Sequence, residues 1–349
     1  MAARLQRHPV ASPRTALAAR AVAILLALLT AAIVLTISGA HPLALGQQVL
    51  KSTFGSRFGL EDIGLLVTPL IFTGLSVAVA LSIGAWNLGA EGQFYAGAVA
   101  ATGVGLYSHA PAPLMGPLMF LGGALGGAVW ILVPTLARAY ASVSELITTL
   151  LLNFVALLLV YYLATGPWLD PSGHALGATA RIPYEVPDVW GDVHWGFPIA
   201  LLLAVVVSLA LRYTVWGFEV RIAGANPGAA VYACMSSRAR LILVMLLSGA
   251  IAGLSGFFEV AGTAHRLQGG ISNNFGYLGI MVAVLARGSP LGVLPGAALM
   301  AVILNSGIVL QTKGLTVSTV VAITGLILFF TAIGDELAHY RLTPKGTGT

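Results

Sequence analysis

Charge is scarce in this sequence: 8% of its 349 residues are Asp, Glu, Lys or Arg, against roughly 25% in an ordinary soluble domain. With 58% apolar residues, no water-soluble fold could hide so much apolar surface, so lipid must cover it. Thiols are scarcer still. The single cysteine, Cys234, excludes an internal disulfide framework and a cysteine-rich metal site. Catalytic signatures are missing too: there is no G-x-x-x-x-G-K-[ST] phosphate loop, no H-E-x-x-H and no G-x-S-x-G elbow. The seven histidines are scattered, and His41, His109, His174 and His194 fall in expected external loops. Nothing here points to an enzyme. The formal net charge is +5, but the basic residues form no patch interleaved with aromatics, which argues against a nucleic-acid partner.

What the chain does have is a series of apolar runs near the ~20 residues that cross a bilayer as a helix. Ten crossings are expected, at about 20–38, 62–84, 92–108, 114–137, 146–165, 197–213, 241–262, 276–287, 290–311 and 316–334. The expected fold is therefore an all-α polytopic membrane protein with about ten transmembrane helices. Glycine and proline interrupt segments 62–108 and 276–311, so some helices should be broken. The first run follows Arg4, Arg7, Arg14 and Arg20 and superficially resembles a signal peptide. It is longer than a usual signal core and no strong cleavage site follows, so it reads as a retained helix.

With the N-terminus in the cytoplasm, 12 of the 17 Lys and Arg residues lie inside. That bias satisfies the positive-inside rule and places both termini in the cytoplasm. The organisation that follows is a cytoplasmic segment 1–19, a transmembrane domain 20–334 and a cytoplasmic tail 335–349. Within the domain lie an external loop 166–196, acidic and aromatic, and a cytoplasmic loop 215–240. Crossings 2–5 and 7–10 are five apart and would run in opposite orientations, as in the inverted repeats of transporters. Breaks at Asn87–Gly92 and Gly269–Gly276 echo one another. Gly122/Gly126, Gly123/Gly127, Gly249/Gly253 and Gly288/Gly292/Gly296 have the spacing of close helix contacts, either inside the chain or at a dimer seam.

Polar groups within apolar runs point to function, because lipid makes them costly. Glu91 stands in NLGAEGQ (87–93), where irregular backbone is tolerable only if it faces a cavity or protein. It is either part of a bend lining a pathway or a first-turn charge at a cytoplasmic helix end. Glu145, Thr149 and Asn153 share one helix face at four-residue spacing. Asn153 needs partners from another helix or from a polar substrate, and Asn305 and Ser306 pose the same question in the other half. In the loop 216–240, Asn226 and Pro227 suit an N-cap and first helical residue. They predict a short helix along the membrane surface, either docked into another protein or simply interfacial.

These residues resemble the permeases of bacterial nucleoside and simple-sugar ABC importers, of the branched-chain amino acid/ribose-type permease superfamily. NLGAEGQFYAGA (87–98), SELITTLLLNFVA (144–156), GANPGAAVYACM (224–235), LSGAIAGLSG (247–256), GYLGIMVAVLARGSPLGV (276–293) and TGLILFF (324–330) match that family's blocks in order. The resemblance implies a subunit of the bacterial inner membrane that pairs with a second, homologous permease. It also implies a cytoplasmic ABC ATPase, which uses the ATP, a substrate-binding lipoprotein or periplasmic protein, and no cofactor bound by this chain. Asn87, Glu91, Gln93 and Asn153 would lie near the substrate pathway, with Phe94 available to stack on a base and Asn305 a candidate from the other half. Gly224, Asn226, Pro227, Ala229, Ala230 and Tyr232 would form the element that couples to the ATPase. Ser144, Val231 and Cys234 depart from the family pattern, which bears on the coupling contacts.

Two rival readings remain at this level, an ion-coupled secondary transporter and a passive channel for small polar solutes. Ion coupling generally calls for membrane-embedded carboxylates. Only Glu91, Glu145 and Glu259 qualify, all toward helix ends, which favours energy supplied from outside the chain. Nucleosides are expected over simple sugars as substrate.

Overall fold

The computed structural model describes residues 3–7, 13–172, 177–233, 235–337 and 340–344; Cys234 and His174 lie outside them. The helices are α1 (Pro13–Ile37), α2 (Pro42–Phe54), α3 (Arg57–Leu81), α4 (Ala90–Tyr107), α5 (Ala112–Ala141), α6 (Glu145–Thr165), α7 (Gly196–Tyr213), α8 (Val215–Ala225), α9 (Pro227–Tyr232), α10 (Ser237–Phe258), α11 (Phe275–Leu285), α12 (Val293–Thr312) and α13 (Val317–Leu337). A π-helical turn, Glu259–Ala264, extends α10. The short strands β1 (Ala3–Arg7) and β4 (Tyr340–Pro344) pair antiparallel, as do β2 (Asp188–Trp190) and β3 (Val193–His194).

Every expected crossing lies in a helix, and the fold is all-α and polytopic. Six helices among the described residues are long and apolar enough to span a membrane: α3, α5, α6, α7, α10 with its π turn, and α12. A seventh span results if α1 and α2, bent by 116° at Ser38–His41, count as one. At ~1.5 Å per residue, α11 with its 11 residues falls well short of the ~30 Å hydrocarbon thickness. Hydropathy marks it as a run, and its length leaves it too short to span alone.

The chain forms two compact units, Glu61–Ala301 and Met1–Leu60 with Val302–Thr349. The first is built on α4, α5 and α10. The four-residue glycine ladders lie inside the chain: Gly97 on α4 and Gly123 and Gly127 on α5 meet the backbone of α10 at Gly249 and Gly253. A Cβ at Gly253 would come within 2.9 Å of the Gly127 Cα. With no hydrophobic effect between helices in lipid, such close backbone contact supplies the van der Waals attraction that holds them. Outward, α5 presents Leu121, Leu125, Val129 and Val133, all exposed at four-residue spacing, as a helix solvated by acyl chains should.

The loop 166–196 is a strap. Backbone hydrogen bonds run from Thr179 N–H to the Leu267 carbonyl (3.0 Å), Ile182 to His265 (2.9 Å) and Val186 to Ala261 (2.9 Å). Arg266 pairs with Asp170 at 3.3 Å. His194 is buried, stacks on Phe258 at 5.9 Å and accepts the Gly196 N–H at 3.0 Å. Burial, reinforced by the charge of His265, pushes its pKa down to about 4.

In the second unit α1 packs on α13. Ala23, Ala27, Ala31 and Leu35 are buried at four-residue spacing, and Ala31 and Leu35 share a cluster with Ile323.

Candidate functional site

After α3 the chain turns at Gly84 (φ 72°) and runs non-helically through Asn87 before α4 begins at Ala90. Irregular backbone buried in a membrane protein must find partners, and here named side chains supply them. The fully buried Asn87 sets up the turn. Its Oδ1 accepts from Gly89 N–H at 3.0 Å and from Gln93 Nε2 at 2.7 Å. Its Nδ2 donates to Gln93 Oε1 and to Ser248 Oγ, both at 2.8 Å. Ser248 in turn donates to the Ser76 carbonyl at 2.7 Å. One asparagine therefore ties α3, α4 and α10 together.

The polar face of α6 lies along the same break. Glu145 accepts from Trp86 N–H at 3.4 Å and pairs with Arg138. Asn153, 2% exposed, donates from Nδ2 to the Leu88 carbonyl at 2.8 Å and accepts Gly92 N–H on Oδ1 at 2.9 Å. The same Nδ2 lies 3.3 Å from the Tyr277 hydroxyl. Glycine is required at 92, because a Cβ there would sit 2.8 Å from Asn153 Oδ1 and 3.0 Å from Trp130 Nε1. Trp130 Nε1 itself has no hydrogen-bond partner among the described residues.

Glu91 joins the two breaks. It is 4% exposed, stands in the first turn of α4, and its carboxylate accepts Gly276 N–H at 2.8 Å in the first turn of α11. One carboxylate thus serves two helix N-termini, where unpaired N–H groups and the helix dipole favour negative charge. At Gly276 a Cβ would run into the Glu91 backbone. The two interrupted segments that echo each other in sequence are in direct contact.

Of the candidate pathway residues, Asn87, Glu91, Gln93, Phe94 and Asn153 are gathered at this junction, all buried. Phe94 packs edge-on to Tyr95 at 5.8 Å and lies 6.5 Å from Phe275. Asn305 belongs to the other unit, where it is 1% exposed and its Nδ2 has no partner among the described residues. Sequence reasoning missed Ser76, Ser248 and Tyr277. Ser248 and Tyr277 stand inside quoted blocks, whereas Ser76, in an unbroken apolar run, gave no signal.

The candidate coupling loop is two helices, α8 and α9, because Thr214 caps the first: its Oγ1 accepts Gly217 N–H at 3.0 Å. Asn226 breaks the pair and its Oδ1 accepts Ala229 N–H at 3.1 Å, the expected cap with Pro227 as first residue of α9. Gly224 packs against the backbone of Ser82 and Ile83, where a Cβ would be 2.8 Å from the Ile83 carbonyl carbon. Ala230 is buried, Asn226 and Ala229 are exposed, and Tyr232 is 93% exposed. Arg240 pairs with Glu219 at 2.5 Å, joining the start of α10 to α8.

A membrane protein whose buried helix breaks are held by amides and a carboxylate, with a capped helix pair between its spans, has the build of a transporter subunit. The family model for the branched-chain amino acid transport system permease component matches residues 59–332, and the chain belongs to that family. It is 34% identical over 304 residues to the glucose ABC transporter permease protein of Haloferax volcanii, covering 83% of this chain and 80% of the relative. It is 33% identical over 287 residues to the guanosine ABC transporter permease protein of Bacillus subtilis, covering 80% and 82%. With the nucleoside ABC transporter permease protein of Lactococcus lactis subsp. cremoris it shares 29% over 325 residues, 89% of each chain. No solved structure gives a significant match.

Proposed function

We propose that this permease forms half of the translocation pathway of an ATP-driven nucleoside importer in a prokaryotic plasma membrane. Both its termini lie in the cytoplasm. The observation that carries the pathway assignment is the junction of the two breaks at Glu91 and Gly276. Membrane proteins place discontinuous helices where substrate crosses, and this one sets two helix starts face to face. Asn87, Gln93 and Asn153 hold the break, and Phe94 packs beside it in the same unit.

The chain carries no phosphate loop, so the motor is a separate ABC ATPase, engaged by α9 through Asn226, Ala229 and Tyr232. Gly224 and Ala230 seat that helix against the body of the permease. A second, homologous permease completes the pore, and a lipoprotein or periplasmic binding protein delivers substrate. The guanosine and nucleoside permeases among the relatives support nucleosides. The glucose permease favours a simple sugar as the second reading.

The test is uptake in proteoliposomes carrying the whole complex, with labelled guanosine and labelled glucose as separate substrates. ATP-dependent guanosine accumulation is expected, with glucose unable to compete. Accumulation by the permease alone under an ion gradient would overturn the ATP-driven reading. For coupling, a cysteine at position 232 (Tyr232→Cys) is expected to cross-link to the ATPase from inside. Labelling of that position from outside would contradict the orientation.

A further inference from the structure

A cavity of about 620 Å³ opens where α3, α7 and α11 end. Three arginines from three different elements line it: Arg212 in the last turn of α7, Arg221 on α8 and Arg287 just past α11. All three are exposed. No carboxylate is among its described lining residues, and the acid nearest in sequence to Arg221, Glu219, is committed to Arg240 at 2.5 Å. The rest of the lining is mostly apolar, with Leu81, Leu211, Val284 and Pro290, together with Ser82 and Ser208. Trp86, 42% exposed, also lines the cavity.

Three guanidiniums above an apolar wall are chemically matched to one kind of occupant. Their planar forks bind phosphate oxygens, while Leu81, Leu211 and Val284 suit methylenes. Basic pockets between transmembrane helices on the cytoplasmic side take lipid headgroups, and the proposed orientation puts this cavity there. We propose that this cavity is a binding site for an anionic phospholipid, its phosphate held by Arg212, Arg221 and Arg287 and its acyl chain laid along the apolar wall. Because Arg221 sits on α8, beside the candidate coupling helix, a bound lipid would tie that loop to the ends of α3 and α11. The inference rests on the proposed orientation for which leaflet supplies the lipid.

The experiment is lipid retention by the full-length chain in mild detergent, read by native mass spectrometry. The probes are phosphatidylglycerol, phosphatidylcholine and glycerol phosphate, and neither ATP nor transport is needed, so its failure is separable from failure of the importer reading. Wild type should retain phosphatidylglycerol at least tenfold over phosphatidylcholine. The triple change R212Q/R221Q/R287Q should abolish that preference, at roughly fivefold per cation removed. The single changes R212Q and R221Q, each expected to lower retention several-fold, keep the test valid if the triple variant does not fold. Undiminished phosphatidylglycerol retention by these variants would overturn the proposal. So would equal retention of phosphatidylcholine, or displacement by glycerol phosphate at matched concentration, which would mark a free-phosphate site.

Discussion

Replacing Asn153 by leucine keeps the number of side-chain heavy atoms and the branch at Cγ, and deletes both halves of its amide. In the native protein that amide serves two backbone groups of the break, the Leu88 carbonyl and the Gly92 N–H. Both would be left buried without a partner, at about 1–3 kcal/mol each, so the lower bound for the pair is about 2 kcal/mol. At ~1.4 kcal/mol per factor of ten, that is roughly a 30-fold rise in the population of an opened break. Hydrogen exchange read on peptides spanning 86–95 should therefore accelerate by at least that factor, while peptides from the α5–α10 seam keep their protection. Substrate uptake should fall at equal membrane abundance. Asn153→Asp, which retains an acceptor for Gly92 but cannot donate to Leu88, should fall between the two. Unchanged exchange at 86–95 in Asn153→Leu would refute the claim that this side chain holds the break.

Other perturbations follow from the same geometry. Glu91→Gln keeps a carbonyl for the Gly276 N–H and loses only the charge shared by two helix N-termini, about 1 kcal/mol; Glu91→Leu orphans the N–H and should lower the melting temperature further, as a thermal-shift series in detergent would show. Gly253→Leu drives a side chain into the Gly123 and Gly127 backbone and should cost more than about 3 kcal/mol, seen as loss of folded protein from the membrane, whereas Gly325→Leu, with nothing within 4 Å, should be neutral. The strap should weaken in acid. His194 has its pKa lowered to about 4 from 6.5, so its contribution is intact above pH 6.5 and lost as pH falls toward 4. At pH 5 the loss should be about 2 kcal/mol. The opening equilibrium over 178–196, read as exchange divided by the intrinsic rate at each pH, should rise between pH 7.5 and 5, and His194→Gln should remove that dependence.

Much of this was legible in the residues, and the part that was not has a common cause. Apolar runs locate helices because lipid demands continuous burial of backbone, and the glycines around 87–92 and 269–276 located the breaks. The run 276–287, however, yields a helix of only 11 residues, because hydropathy measures affinity for lipid and not length. The face Glu145–Thr149–Asn153 was visible from its spacing, yet nothing local indicates that its partners are Trp86, Leu88 and Gly92, some 60 positions earlier. The Glu91–Gly276 bond spans 185 residues, beyond any periodicity argument. The glycine ladders favoured an internal contact over a dimer seam, and the structure places Gly123, Gly127, Gly249 and Gly253 against one another inside the chain. The cytoplasmic loop was expected to hold one short helix at Asn226. It holds that helix and another before it, since the Thr214 cap is separated from Asn226 by just enough chain for three turns.

Part of the contact between α5 and α10, at Gly123, Gly127, Gly249 and Gly253, is made by backbone atoms that have no rotamers, beside the side-chain packing of Phe120 on Phe257. Side-chain interfaces give way by flipping χ angles, which lets neighbouring helices creep past one another in small steps during a conformational cycle. A glycine-on-glycine junction lacks that mechanical compliance and behaves like a welded joint. The transport stroke of this protein must then carry α5 and α10 as one lever, with α4 fastened to it at Gly97. The non-helical linkers on either side, 82–89 and 265–274, are where the bending of such a stroke would fall.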